Sequence, residues 1–302
     1  MRIGTRGSAL ALTQAGHVAG LLETHPPHPP AEIVTITTSG DRASGKDKSR
    51  FLDTIEQALL AGEIDLAVHS AKDVPSELAE GLSLLGAPPR AAAEDVLCGA
   101  AGLDALSPHA RVGTSSIRRT AQLRAVREDL EIVTLGGNVD TRLRRLGEDG
   151  IDAIVLARAG LQRLGREDEV GAVLDPERFV PAPGQGVLAL EGRMGDSRVV
   201  EAVRAITDAD AFASLQAERA LARALDASCH TPLGAYAIPA GCGCLNLRAW
   251  VGLPDGSAWV SDELLGGFYD PDALGRRVAE RMKAAGAEEL LRRAQEMAVE
   301  HA

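Results

Sequence analysis

The chain has 302 residues, of which 45% are hydrophobic and 3% aromatic, and it carries a net charge of −11. That apolar content excludes a disordered chain, and at about 100–200 residues per domain the length predicts two or three domains. The acidic balance and the scarcity of aromatic stacking platforms argue against a nucleic-acid partner, and no apolar run approaches the ~18 residues of a membrane span or forms a secretory leader, so a cytoplasmic protein is expected.

The first predicted elements are a strand over Arg2-Ile-Gly-Thr-Arg-Gly-Ser8, an Ala/Leu-rich helix, a strand over Glu32–Thr38, a helix over about Phe51–Ala61 and a strand over Ile64–Val68. The order then repeats. Arg111-Val-Gly-Thr-Ser-Ser116 opens a strand, an amphipathic helix runs to about Arg127, Glu131–Leu135 forms a strand, a helix lies near Asp140–Leu146, and Ile151–Leu156 forms a strand. Short β-branched runs alternating with helical periods predict parallel strands with helices on both faces and right-handed crossovers. Two similar α/β domains follow, and ligands of such sheets collect beyond the carboxyl ends of the strands, where helix N-termini point. Two such edges facing each other would form a cleft lined by Arg6, Ser8, His69 to Asp73, Ser115, Ser116, Arg118 and Arg119.

Charge sharpens that expectation. Between Arg111 and Arg145 eight arginines stand against Glu128, Asp129, Glu131 and Asp140, which reverses the sign of the chain as a whole and predicts an anion-binding wall. Arg124, Arg127, Arg144 and Arg145 read as a solvated basic face. Arg118 and Arg119, by contrast, stand at a helix start, where the macrodipole opposes a cation, so they are expected to bind ligand. Lysine is scarce, four against 28 arginines, and Lys46, Lys48 and Lys72 fall close together. A compact ammonium rather than a planar fork is what such positions retain.

Pro181-Ala-Pro-Gly-Gln-Gly186 reads as a crossing, followed by an apolar strand, Val187–Glu191. Beyond it a helix over about Asp210–Asp226 leads to Ser228-Cys-His-Thr-Pro-Leu-Gly234, then strands at Leu245–Val251 and Ser257–Asp262 and helices at Pro271–Ala284 and Ala287–Val299. The predicted domains are residues 1–90 with 187–208, residues 91–186, and a small α+β domain over 209–302. The four cysteines, Cys98, Cys229, Cys242 and Cys244, are too few for a disulfide scaffold in a chain of this length. Cys242-Gly-Cys244 beside His230 lacks an evident fourth ligand, so no metal site is expected.

Six runs, in order and covering essentially the whole chain, resemble the porphobilinogen deaminase family: Ala67-Val-His-Ser-Ala-Lys-Asp-Val-Pro75, Val112-Gly-Thr-Ser-Ser-Ile-Arg-Arg119, Gly137-Asn-Val-Asp-Thr-Arg142, Ala159-Gly-Leu-Gln-Arg-Leu-Gly165, Pro183-Gly-Gln-Gly186, and Glu218-Arg219 with Ser228-Cys229. The resemblance implies two periplasmic-binding-protein-like (type II) α/β domains plus a C-terminal domain that carries the cofactor cysteine. It implies hydroxymethylbilane synthase activity, in which four porphobilinogen molecules are condensed head to tail with loss of ammonia. The cofactor is a dipyrromethane bound through a thioether to Cys229, where a soft thiolate suits an electrophilic methylene. By the same resemblance Asp73 is the catalytic carboxylate. Arg6, Ser8, Lys72, Ser115, Ser116, Arg118, Arg119, Arg142, Arg163 and Gln185 bind carboxylate-bearing substrate and cofactor, and Lys48 belongs to a loop, Ser44–Ser49, over the site. The expected protein is a monomer whose partners are porphobilinogen and the growing pyrrole chain, with no membrane association.

Three positions depart from the family pattern. Gly136 stands where a cleft arginine is usual, Asp53 where a lysine is usual, and Ala227-Ser228 replaces Gly-Gly before the attachment cysteine. Arg158, ending the strand Ile151–Ala157, is the expected substitute for the missing arginine. A non-enzymatic anion-binding protein on the same scaffold, or a diverged relative that binds pyrroles without turnover, are the alternative readings.

Overall fold

A computed structural model describes residues 1–25, 30–36, 49–228, 231–241 and 243–300. The chain divides into two compact units, Met1–Ala91 with Gly186–Phe212, and Ala92–Gln185 with Ala213–Ala302.

In the first unit β1 (Arg2–Thr5), α1 (Ala9–Glu23), β2 (Glu32–Thr35), α2 (Ser49–Leu60), β3 (Leu66–Ser70) and β4 (Leu82–Gly86) precede the crossing, and β10 (Leu188–Arg193) and α6 (Ser197–Ile206) follow it. The sheet order is β2-β1-β3-β10-β4. Strand periodicity gives β3 two apolar faces. Leu66 and Val68 pack with Ile3, Val18, Leu190 and Val203 on one side, whereas Ala67 packs with Ile55, Leu59, Ile64 and Leu82 on the other.

The second unit repeats this order as β7-β6-β8-β5-β9, from β5 (Asp95–Cys98), β6 (Arg111–Gly113), α3 (Ile117–Val126), β7 (Glu131–Val133), α4 (Val139–Arg144), β8 (Ala153–Ala157), α5 (Arg158–Arg163) and β9 (Ala172–Val173). Leu97, Val112 and Val155 lie on the face covered by Leu123 of α3, and Val96, Cys98, Ile154 and Leu156 on the opposite face. The helix α7 (Ala209–Ala224) enters the same unit at Ala213, and the unit also holds a three-stranded antiparallel sheet, β11 (Leu233–Pro239), β12 (Cys244–Gly252) and β13 (Trp259–Gly267), with α8 (Pro271–Ala284) and α9 (Ala287–Glu300). Its core joins Ala217 and Leu221 to Leu247, Val278, Met282 and Leu291.

The α/β class and the internal repeat agree with the type II periplasmic-binding-protein-like expectation, but the sheets are mixed rather than wholly parallel. β10 runs antiparallel to β3 and β4, and β5 antiparallel to β8 and β9. In each sheet the reversed strand follows a crossing between units, β5 the one after Ala91 and β10 the one after Gln185. The return crossing turns at Gly184 (φ 73°) and Gly186 (φ 86°), a left-handed backbone that favours glycine. Close approach explains Gly113, where a Cβ would stand 2.8 Å from Leu135 Cδ2.

Candidate functional site

In the first unit the carboxyl ends of β1 and β3 are neighbours, paired in parallel at Ile3 with Leu66. Arg6 follows β1, and Ser8 caps α1 by accepting the Ala11 N–H at 3.3 Å. β3 runs directly into a 3-10 turn, Ala71–Asp73. Ala71 N–H donates to Val187 O at 3.0 Å, which ties the turn to the start of the returning chain. The turn ends at Val74 (φ −80°, ψ 128°) because Pro75 restricts the residue before it to extended backbone. Lys72 and Asp73 are both half-buried in this short turn. One turn of chain therefore sets the expected catalytic carboxylate and an ammonium beyond a strand end.

In the second unit Thr114 Oγ1 accepts the Ser116 N–H at 3.2 Å, and Ser116 caps α3. The helix then begins with Arg118 and Arg119, which are 3% and 5% exposed. Neither belongs to the solvated face of the helix. Both meet Asp95, which is fully buried: Oδ2 accepts Arg118 Nη2 at 2.7 Å, and Oδ1 accepts Arg119 Nε at 3.0 Å and Nη2 at 2.7 Å. Gln185 Nε2 donates to the same Oδ1 at 3.0 Å and to Ala93 O at 2.6 Å. Arg118 Nη1 and Arg119 Nη1 donate to the carbonyls of Val180 and Val155, each at 2.8 Å. The partner demanded by two cations at a helix start thus lies partly within the chain. Desolvation raises the Asp95 carboxyl, but the two guanidinium charges and their hydrogen bonds outweigh it and hold the group far below the usual carboxylate range. Burial in turn lowers Arg118, with the Asp95 charge opposing it.

Elsewhere in this unit Arg142 Nε donates to Gly137 O at 2.8 Å and its Nη2 reaches Ser115 Oγ at 3.4 Å, so these two expected binding residues meet. Arg163 ends α5, and burial lowers its guanidinium to about 10. Arg158 opens α5 instead of ending β8, and its side chain faces Glu94 (3.6 Å) and Glu167 (3.3 Å). Lys48, residues 44–48 of its loop and Cys229 lie outside the described residues, whereas Ser49 opens α2.

Several buried acids went unassigned in the sequence, among them Asp95 and Glu191. Glu191 is completely buried on β10, with its Oε2 2.8 Å from His69 Nε2 on β3. The signal for both was a charge inside an otherwise apolar strand, Asp95-Val-Leu-Cys98 and Leu188-Ala-Leu-Glu191. Among the described residues no group of three or more His, Cys, Asp or Glu side chains is arranged to hold a metal ion.

The donor set suits a ligand rich in carboxylates. Two buried guanidiniums oppose one carboxylate, and Arg118 Nε, buried, has no hydrogen-bond partner. A buried N–H left over beside a charge surplus is what a dipyrromethane, with its acetate and propionate arms, would satisfy.

Comparison with known proteins agrees. The family description "Porphobilinogen deaminase, dipyromethane cofactor binding domain" matches residues 1–201, and "Porphobilinogen deaminase, C-terminal domain" matches 212–284. The porphobilinogen deaminase of Trichlorobacter lovleyi is 42% identical over 298 residues, covering 96% of this chain and 95% of that protein. The porphobilinogen deaminase of Xanthomonas euvesicatoria pv. vesicatoria is 44% identical over 299 residues, covering 96% and 98%. Among solved structures, a periplasmic substrate-binding protein of an ABC transporter from Coxiella burnetii aligns over 68% of this chain and 91% of its own, at 16% identity and a TM-score of 0.45.

Proposed function

The chain belongs to the porphobilinogen deaminase family, and we propose that it performs the family reaction with Asp73 as the catalytic carboxylate and the arginines of both strand-end clusters as carboxylate holders. The reaction joins four porphobilinogen molecules head to tail, releases one ammonia for each, and frees hydroxymethylbilane by hydrolysis, a step of tetrapyrrole biosynthesis. The dipyrromethane cofactor supplies the nucleophilic pyrrole carbon to which the first substrate unit is joined.

The chain's own groups divide the remaining work. As the C–N bond of porphobilinogen's aminomethyl group breaks, the ring nitrogen's electron pair moves into the ring and positive charge develops there. Asp73, fixed at the end of β3, stabilises that charge without reorganisation, and it accepts or returns the ring proton. Arg6, Arg118, Arg119, Arg142 and Arg163 hold acetate and propionate groups, Ser8, Ser115 and Ser116 add hydroxyl donors, Lys72 adds a point charge, and Gln185 adds an amide. Cys229 is the attachment site, and Lys48 acts from the loop.

We further read the chain as three domains, residues 1–90 with 187–208, 91–186 and 209–302, and as a cytoplasmic monomer without nucleic-acid partners. Its net charge of −11 supports the last point. Among the described residues no helix is long and apolar enough to cross a membrane.

The observation that carries this reading is the surplus of buried arginine over buried carboxylate at Asp95, where Arg118 Nε awaits an acceptor. The test is stoichiometry. Purified protein incubated with porphobilinogen should release one ammonia per porphobilinogen consumed and accumulate hydroxymethylbilane. Tight binding of porphobilinogen with no ammonia released would instead favour a binding protein on the same scaffold.

A further inference from the structure

Asp95 reaches the arginines because of strand parity. On β5, Leu97 faces α3, so Asp95, two residues earlier, faces it too, at the end of the helix where Arg118 and Arg119 begin. Its carboxylate takes four hydrogen bonds there: Oδ1 accepts from Arg119 twice and from Gln185, and Oδ2 from Arg118. Arg118 is held at further points. Its Nη1 donates to Val180 O, Gln122 fixes the same Val180 peptide through both N–H and carbonyl, and the Phe179 ring lies 5.9 Å from Cζ. Of its three guanidinium nitrogens Nε is the one with no acceptor, and it is buried.

We propose that Asp95 is the positioning residue of this arginine site, clamping Arg118, Arg119 and Gln185 so that the Arg118 Nε–H is presented to one carboxylate arm of the pyrrole chain. The proposal rests on the reading that these arginines hold substrate carboxylates. Charge supports it independently of orientation. One carboxylate against two guanidiniums leaves a single positive charge, at a helix N-terminus whose dipole adds to it. With no acid there, two uncompensated guanidiniums would repel each other and turn toward water or stray anions. With two acids, nothing would be left for a ligand. One acid leaves the site matched to one carboxylate at a time, which a chain that lengthens by repeated units requires. A leftover buried N–H is rare in folded proteins, and a ligand or water that completes it is one reason for it to persist.

The experiment uses the full chain with Asp95→Asn, Asp95→Glu and Arg118→Lys. Asp95→Asn removes the clamp's charge. Asp95→Glu keeps that charge but displaces both guanidiniums by one methylene, which makes it the informative variant if Asp95→Asn does not fold. Thermal unfolding reports integrity, intact mass of the denatured protein counts covalent pyrrole units, and KM and kcat are read separately. Folded Asp95→Glu should load its two cofactor units more slowly and raise KM for porphobilinogen about tenfold or more, with maximal ammonia release per enzyme within about threefold of the parent. Parent-like loading and KM in folded Asp95→Glu would overturn the proposal. Arg118→Lys separates the two claims: if it leaves KM unchanged, the arginine is not a carboxylate holder and the underlying reading fails. If it raises KM while both Asp95 variants do not, the assignment of Asp95 alone fails.

Discussion

Glu191 Oε2 lies 2.8 Å from His69 Nε2, and this pair bridges the returning strand β10 to the strand that delivers Asp73. Glu191 is completely buried and His69 is 8% exposed, so the bond is shielded from water. It lies diagonally across the ladder, where Ala189 is directly opposite His69 and Glu191 opposite Ala67. Glu191→Ala would leave the imidazole buried without that partner, at a cost of about 1–3 kcal/mol. Urea unfolding should show a lower midpoint with an unchanged slope; an unchanged midpoint would contradict a structural role for the pair.

Glu56 gives a pH dependence of definite sign. Burial chiefly, and the Glu191 charge next, push its carboxyl above the ordinary value of 4.5, while the Ala79 N–H bond opposes them. Between the unfolded and folded values the folded state binds the proton more tightly, so stability falls as pH rises through that window. Glu56→Gln keeps an acceptor for Ala79 but cannot ionise. It should therefore stabilise the protein more at pH 7 than at pH 4 relative to the parent, as measured by the difference in unfolding free energy. A benefit that is equal at both pH values, or larger at pH 4, would run against the assignment.

Asp73→Asn keeps the shape of the side chain and removes its charge. If Asp73 stabilises the cation formed as ammonia leaves, single-turnover ammonia release should fall by at least ~100-fold. Near-normal release would reassign Asp73 to the turn itself.

Gly136 stands where the resemblance to the family leads an arginine to be expected, and Arg158 does not fill the gap as an uncommitted cation, because it already faces Glu94 and Glu167. A Cβ at Gly136 would meet no atom within 4 Å, so a larger side chain fits. Gly136→Arg alone should therefore speed elongation by about ten- to a hundredfold, the equivalent of one charged hydrogen bond of ~1.5–3 kcal/mol. Arg158→Ala should change elongation little. Counting bound pyrroles by mass under limiting porphobilinogen decides between them: slowed elongation in Arg158→Ala would restore compensation as the explanation.

Much of this was legible in the sequence because local pattern and tertiary role coincide there. The runs beginning Arg2-Ile-Gly-Thr and Arg111-Val-Gly-Thr marked equivalent strands, and the helix expected from Pro271 is α8, where Asp270 accepts the Ala273 N–H. The strands β4, β5, β9 and β11 escaped notice. Asp95–Cys98 is four residues long and opens on a charge, and Leu233–Pro239 mixes small and aromatic residues without a clear period. The reversed direction of β10 was equally invisible, since a strand's own residues do not encode which way its neighbour runs. At the site, the dipole at the helix start pointed to a ligand for Arg118 and Arg119. It gave no sign of Asp95, which lies 23 and 24 residues earlier and reaches them only through sheet order and strand parity.

The most direct test of the account is the intact mass of the protein, denatured and washed after exposure to porphobilinogen, for the parent chain and for Cys229→Ser. The account predicts a parent heavier than its polypeptide by two pyrrole units, with further single-unit steps under limiting substrate. It predicts a Cys229→Ser protein at the bare polypeptide mass, because a hydroxyl does not replace the thiolate toward the electrophilic methylene. A parent without added mass, or a Cys229→Ser protein carrying the same two units, would contradict it.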